Sequence, residues 1–307
     1  MSHVKAEIAT QPECWRQAAK LATAPGLPLP GERVAVVGCG TSWFMAKSYA
    51  VLREQAGQGE TDAFQASDFP HGRRYDRIVA ITRSGTTTEA LDVMREAGAN
   101  TPVTAITADG SQPAAEIARH AVVLDFADEQ SVVQTRFATS VLALLRTHLG
   151  TDIEAAAQDA EVAVRLPLPV HPALFDQITF LGRGWTVGLA EEAALKCRET
   201  AGFWTESYPA MDYRHGPISI AGPRRVVWAF GDLPAGLADE VEATGAAFVH
   251  SRHHGGYASL GRWVGGREPL DPMADLVLAQ RVAVLLATTQ GVDPDHPRNL
   301  TRSVVLT

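Results

Sequence analysis

This 307-residue sequence predicts an α/β fold made from two copies of one parallel-sheet unit, and three observations carry that expectation. The length suggests about two domains, at roughly 100–200 residues each. Short apolar runs alternate with helical stretches along the whole chain, which is the pattern of βαβ units. The pattern also repeats. Arg33–Val37, Gly38-Cys39-Gly40 and the helical stretch Trp43–Gln55 return 144 residues later as Gln177–Leu181, Gly182-Arg183-Gly184 and Val187–Ala201.

The remaining elements follow in the same order in both halves. The strand-like Arg77–Ile81 precedes the helical Glu89–Ala97, and Arg225–Phe230 precedes Ala235–Thr244. Both halves close alike, with Val141–Leu145 before Gly150 and Val282–Leu286 before Gly291. The strands Arg33–Val37, Arg77–Ile81 and Thr101–Ile106 are continuous apolar runs, as expected when helices cover both faces of a sheet. The Pro-rich stretch from Arg165 to Pro172 cannot continue a helix and marks the division, giving domains 1–160 and 161–307.

Composition narrows the function classes. Lys plus Arg total 27 against 35 Asp plus Glu, a net charge of −8, so neither nucleic acid nor a membrane surface is an expected partner. Arg281 and Gln290 interrupt the apolar C-terminal stretch, and no run approaches the roughly 18 residues that span a bilayer. Residues 1–20 lack an apolar signal-peptide core. Cys14, Cys39 and Cys197 are an odd set without CxxC spacing, which fits a reducing cytoplasm and no cysteine-based metal site.

Two turns in the first half carry hydroxyls where a parallel sheet binds ligands, between a strand and the following helix. Gly38-Cys39-Gly40-Thr41-Ser42 allows close backbone approach, and its amides with the helix dipole favour an anion. Trp43 stands where the third glycine of a dinucleotide fingerprint would fall, and taken alone this turn reads better as a simple helix N-cap than as an anion site. Thr82-Arg83-Ser84-Gly85-Thr86-Thr87-Thr88 is richer, with five hydroxyls, a glycine and an arginine in seven residues. A cap needs one such side chain, whereas a phosphate takes many donors. Arg83 either joins them or points to solvent. No Walker sequence is present. The two turns together indicate a small phosphorylated ligand.

The second half holds acid–base candidates. Glu192, Lys196 and Glu199 share one helical face, either as a solvated ion-pair stripe or, near the ligand end of the sheet, as a group that moves a proton. Arg214-His215-Gly216-Pro217 is an irregular loop whose imidazole either transfers protons or simply packs. His250, His253 and His254 lack accompanying ligand spacing, and no metal or cofactor is expected. The polar segment 293–303 ends in Val304-Val305-Leu306, which favours a tail tied down on the domain over a disordered terminus.

Taken in order, GCGTS (Gly38–Ser42), the turn around Ser84-Gly85, FLGRG (Phe180–Gly184), ALKCRE (Ala194–Glu199), RHGP (Arg214–Pro217) and PRNLTRSV (Pro297–Val304) resemble the SIS (sugar isomerase) family. The likeness is to the double-SIS isomerase portion of glucosamine-6-phosphate synthase and covers nearly the whole chain. It implies two flavodoxin-like domains, each a parallel sheet of about five strands. It implies that Thr41, Ser42, Thr82, Ser84 and Thr87 hold a sugar phosphate, with Arg83 added to the turn here, and that Glu129 and Val132 border the sugar. Glu199 is then the base that moves a proton between C1 and C2, beside Lys196. His215 assists ring opening from the neighbouring subunit, so a homodimer is expected.

Three departures from that pattern stand out. The chain starts Met1-Ser2 and reaches the first SIS unit at once, so no glutaminase is expected. Arg302 occupies the family's tail lysine position; it cannot form a Schiff base but can stabilise an oxyanion. Arg83 and Thr86 replace a neutral amide and an acid. The expected function is an aldose–ketose isomerase or deaminase on a hexose or hexosamine 6-phosphate. A deglycase of a phosphorylated sugar–amino-acid adduct and a non-catalytic sugar-phosphate sensor are the alternatives.

Overall fold

A computed structural model describes residues 2–98, 100–251 and 269–306. The helices and strands in chain order are α1 (His3–Ala9), α2 (Gln11–Ala19), β1 (Val34–Gly38), α3 (Thr41–Gln55), β2 (Thr61–Gln65), β3 (Arg77–Ile81), α4 (Thr88–Gly98), β4 (Val103–Thr107), α5 (Pro113–Ile117), β5 (His120–Val123), α6 (Arg136–His148), α7 (Ile153–Arg165), β6 (Gln177–Gly182), α8 (Val187–Ala201), β7 (Thr205–Pro209), β8 (Arg225–Phe230), α9 (Leu237–Ala243), β9 (Ala247–Val249) and α10 (Pro272–Gln290). They form two units that are discontinuous in sequence. The first unit is Glu13–Glu154 with Thr301–Thr307, and the second is Met1–Pro12 with Ala155–Leu300.

The first unit holds a sheet of order β2-β1-β3-β4-β5 and the second, among the described residues, one of order β7-β6-β8-β9. Every pairing is parallel. Alternate residues of one strand enter opposite faces. Val34 and Val36 of β1 therefore pack with Phe137, Val141 and Leu144 of α6, while Ala35 and Val37 pack with Val93 and Met94 of α4. Two helical layers explain why the apolar runs are continuous.

Register makes the duplication exact at the site-bearing strands. Val37 pairs with Ala80 and Leu181 with Ala229, so β1 corresponds to β6 and β3 to β8. Gly38 and Gly182 end the first strand of each pair at the closest helix approach. A Cβ on Gly38 would lie 2.8 Å from Ser42 Cβ and 2.9 Å from Trp43 N. One on Gly182 would meet the Thr186 carbonyl and lie 2.5 Å from Val187 N.

α10 is 19 residues long and, alone among the described helices, apolar and long enough to cross a bilayer. That differs from the expectation that no stretch approaches this length, because Arg281 does not interrupt the helix. Its Nη1 donates to the Ala163 and Leu166 carbonyls at 2.5 and 2.7 Å, closing the end of α7. With 72% of its apolar window buried and its face against α8, α10 is the core helix of the second unit. α1 joins the same unit. Asp295 accepts from the His3 and Val4 amides at 2.7 and 2.8 Å, and Gln11 Nε2 donates to Gln280 Oε1 at 2.7 Å.

The C-terminal segment, expected with the second half, lies on the first unit. Thr88 N donates to Val304 O at 3.1 Å, and Thr86 Oγ1 donates to Ser303 Oγ at 3.1 Å. Leu306 N donates to Thr88 Oγ1 at 2.9 Å. The hydroxyl-rich turn supplies the partners, so the tail is ordered where polar groups are available.

Candidate functional site

In a sheet of order 2-1-3-4-5, chain connections diverge between β1 and β3, and a crevice opens at their carboxyl ends. Both hydroxyl turns converge there. α3 starts at Thr41 directly after β1, and α4 starts at Thr88 after the β3 turn, so two helix N-termini bring partial positive charge to one place. Gly85 has φ 67°, and a Cβ on it would lie 2.7 Å from Gln112 Cβ, so the turn requires glycine. Ser42, Thr82, Ser84 and Thr87 line a cavity of about 30 Å³ together with Arg83 and Cys39. Arg302 and Gln134 complete its wall. Thr41 is buried beside Ser42 at the helix start.

Three polar atoms around this cavity are buried without a hydrogen-bond partner: Thr82 Oγ1, Arg83 Nε and Gln134 Oε1. A buried polar group left so costs about 1–3 kcal/mol. Burial, reinforced by Glu89, pushes the Cys39 thiol up to about 11, so it lines the cavity as a neutral group.

Arg83 neither points to solvent nor offers its whole guanidinium to the cavity. It is 2% exposed. Nη1 donates to Ser131 O at 3.2 Å and lies 3.4 Å from Glu129 Oε2, and Nη2 donates to Val132 O at 2.9 Å and Arg302 O at 3.1 Å. Glu129 is likewise buried. Its Oε1 accepts from Thr135 N, Thr135 Oγ1 and Arg136 N at 2.5, 2.7 and 2.8 Å, so it caps α6. Val132 contributes its carbonyl. The Arg302 side chain donates to Glu129 O and pairs with the Asp128 carboxylate. Asp128 and Gln134 escaped sequence reasoning because neither belongs to a turn motif.

The other candidates belong to the second unit. Lys196 Nζ lies 2.6 Å from Glu199 Oε2 and 3.4 Å from Glu192 Oε1. Glu192 and Lys196 are buried, and Glu199 is 21% exposed, so this is no solvated stripe. The helix start does not bring Glu199 to the ligand end of its own sheet. Twelve residues beyond Val187 at 1.5 Å each place it about 18 Å along α8. There Thr205, at the beginning of β7, accepts from Arg198 and donates to Ala194 O. His215 is exposed on a short 3-10 turn, while Arg214 pairs with Glu240 at 2.7 Å.

At the second unit's own switch point the polar groups of the described residues bond to one another. Thr186 Oγ1 accepts from Arg183 N at 2.8 Å and donates to Phe230 O at 2.9 Å. His250 Nε2 lies 2.7 Å from Gly231 O. His253 and His254 lie outside the described residues.

No protein-family model matches the sequence. Glutamine–fructose-6-phosphate aminotransferase of Sulfolobus acidocaldarius is 27% identical over 299 residues, 89% of this chain and 50% of that one. The chain spans about half the length of the curated relatives it matches. Among solved structures, glucosamine-6-phosphate deaminase from Thermotoga maritima superposes with a TM-score of 0.77 at 22% identity, covering 99% of this chain and 100% of that one. The C-terminal domain of glucosamine-fructose-6-phosphate aminotransferase from Francisella tularensis gives 0.80 at 19%, covering 97% and 99%. The fold is the double-SIS fold. In sequence the chain is similar to about half of that aminotransferase, and in fold to these two solved structures.

Proposed function

We propose that this double-SIS chain is a sugar-phosphate isomerase or deaminase acting on an open-chain hexose or hexosamine 6-phosphate. The observation that carries the reading is the anion-ready cavity at the β1/β3 switch point, with its unpartnered Thr82 hydroxyl and two converging helix N-termini. The phosphate is held by Thr41, Ser42, Thr82, Ser84 and Thr87, with Arg83 contributing through Nε. Glu199 takes the proton from C2, the electrons form an enediol, and the same carboxyl returns a proton to C1. Lys196, 2.6 Å from that carboxylate, holds it in place. Arg302 stabilises charge on the sugar oxygens, and the segment with Glu129 and Val132 borders the sugar. His215 assists ring opening across a homodimer interface.

Incubation with a panel of hexose and hexosamine 6-phosphates in deuterated water tests this. Deuterium at C1 of the ketose product and at C2 of the aldose re-formed from it is expected, and release of ammonia assigns deamination. Glu199→Gln should retain binding and lose about 100-fold or more of the exchange rate, the scale of a general base. Tight binding with no exchange for any sugar identifies a sensor and overturns the enzymatic reading.

A further inference from the structure

We infer that the second unit carries a further binding site, for a small amphiphilic carboxylate, in a cavity walled by α1, α10 and the end of α7. Its volume is about 620 Å³, within the roughly 300–1,000 Å³ of small-molecule pockets. It shares no lining residue with the phosphate cavity, so the inference stands apart from the sugar-phosphate reading.

Helical spacing builds the walls. Arg281, Val284, Leu285 and Thr288 follow i, i+3, i+4, i+7 and make one face of α10, while Lys5, Ile8 and Ala9 make one face of α1. Val164, near the end of α7, and Leu168, just beyond it, close the apolar side. At 1.5 Å per residue, Arg281 and Thr288 lie about 10 Å apart along α10, a span that suits a medium-length hydrocarbon chain.

The charges select the head group. Lys5 and Arg281 line the cavity, and no acidic side chain among the described residues does. Arg281 Nη1 donates to the Ala163 and Leu166 carbonyls, while Nε and Nη2 have no acceptor among the described residues. Burial holds the guanidinium below its usual value, as expected of a cation drawn out of water with no carboxylate beside it. A carboxylate offers two oxygens to the two parallel N–H groups of that edge, and Lys5 adds a second cation. The chain of the ligand then lies against Ile8, Val284 and Leu285.

The test is calorimetric titration of the full chain with octanoate, compared with octan-1-ol and acetate. Octanoate should bind saturably at one site per chain. Octan-1-ol lacks the charge and acetate the chain, so each should bind at least about tenfold more weakly. Arg281→Gln should weaken octanoate about tenfold or more, by loss of a charge-assisted pair. Arg281 also closes α7, so Lys5→Ala, at an exposed position, supplies a second charge variant and should weaken octanoate about two- to fivefold. Leu285→Trp fills the groove from a half-buried position and should abolish octanoate binding with the thermal unfolding midpoint kept. No saturable binding, equal affinity for octan-1-ol and octanoate, or octanoate binding unchanged in Leu285→Trp overturns the inference.

Discussion

Ser42 and Thr186 occupy the same place in two copies of one turn, four residues after Gly38 and Gly182, yet their surroundings differ. Thr186 is bonded to both strand ends around it, to Arg183 N and Phe230 O. Ser42 lines a cavity with Thr82, whose hydroxyl has no partner. Register extends the contrast. Counting on from the matched pairs Val37–Ala80 and Leu181–Ala229, Thr82 corresponds to Gly231, Arg83 to Asp232 and Ser84 to Leu233. The second turn lacks those hydroxyls and carries an acid in place of the arginine. One duplicated crevice keeps a polar cavity, and in its copy the corresponding hydroxyl is bonded to the chain.

The largest effect that sharpens this comparison lies in what the copies share. Gly182→Ala sets a Cβ against the Thr186 carbonyl and Val187 N, and should cost about 4 kcal/mol or more, read as a lowered denaturation midpoint. Gly38→Ala meets a side-chain atom as well as backbone and should cost about 2–3 kcal/mol. Equal costs would show that the two turns are equally tight.

Next come the hydroxyls. Thr186→Val takes the hydroxyl from the buried Phe230 carbonyl and from the Arg183 amide, and should lose about 1–3 kcal/mol of stability with phosphate affinity unchanged. Thr82→Val should do the reverse. It removes an unpartnered buried hydroxyl, so thermal stability without ligand holds or rises, while phosphate affinity falls about tenfold, one good hydrogen bond. If Thr82→Val destabilised the protein and left phosphate binding intact, the contrast between the crevices would collapse.

The smallest effect is kinetic. Cys39 lines the first crevice, and the matching position of the second is Arg183. With its thiol pushed up to about 11 from 9.0, Cys39 carries roughly 100-fold less thiolate near neutral pH than an ordinary cysteine. Iodoacetamide should therefore label it slowly at pH 8, faster as pH rises, and more slowly when phosphate is present. Fast labelling at pH 8 would mean the crevice is more open and polar than described.

Much of this was legible in the residues. The parallel strands, the duplicated glycine turns and the hydroxyl-rich crevice follow from local patterns of a few residues each. What escaped depends on partners far apart in the chain. Arg83 meets Glu129 at a separation of 46 residues and the Arg302 carbonyl at 219. The latter contact also moves the tail from the half that encodes it to the other one. Helical spacing grouped Glu192, Lys196 and Glu199 on one face, but spacing carries no depth, so it could not distinguish a solvated stripe from a buried cluster. It also could not weigh the length of α8, which carries Glu199 away from the turn that starts the helix.

The cap on α1 has a consequence for how the protein is made. Val4 receives its carboxylate partner from Asp295, 291 residues later. At roughly 5–20 residues per second, the ribosome takes on the order of 15–60 s to deliver that partner. A seven-residue helix is too short to persist alone in water, so α1 spends that interval as a nascent strand of coil. Its burial is thus one of the last events of biogenesis rather than one of the first, because α10, against which it packs, is itself completed only shortly before Asp295.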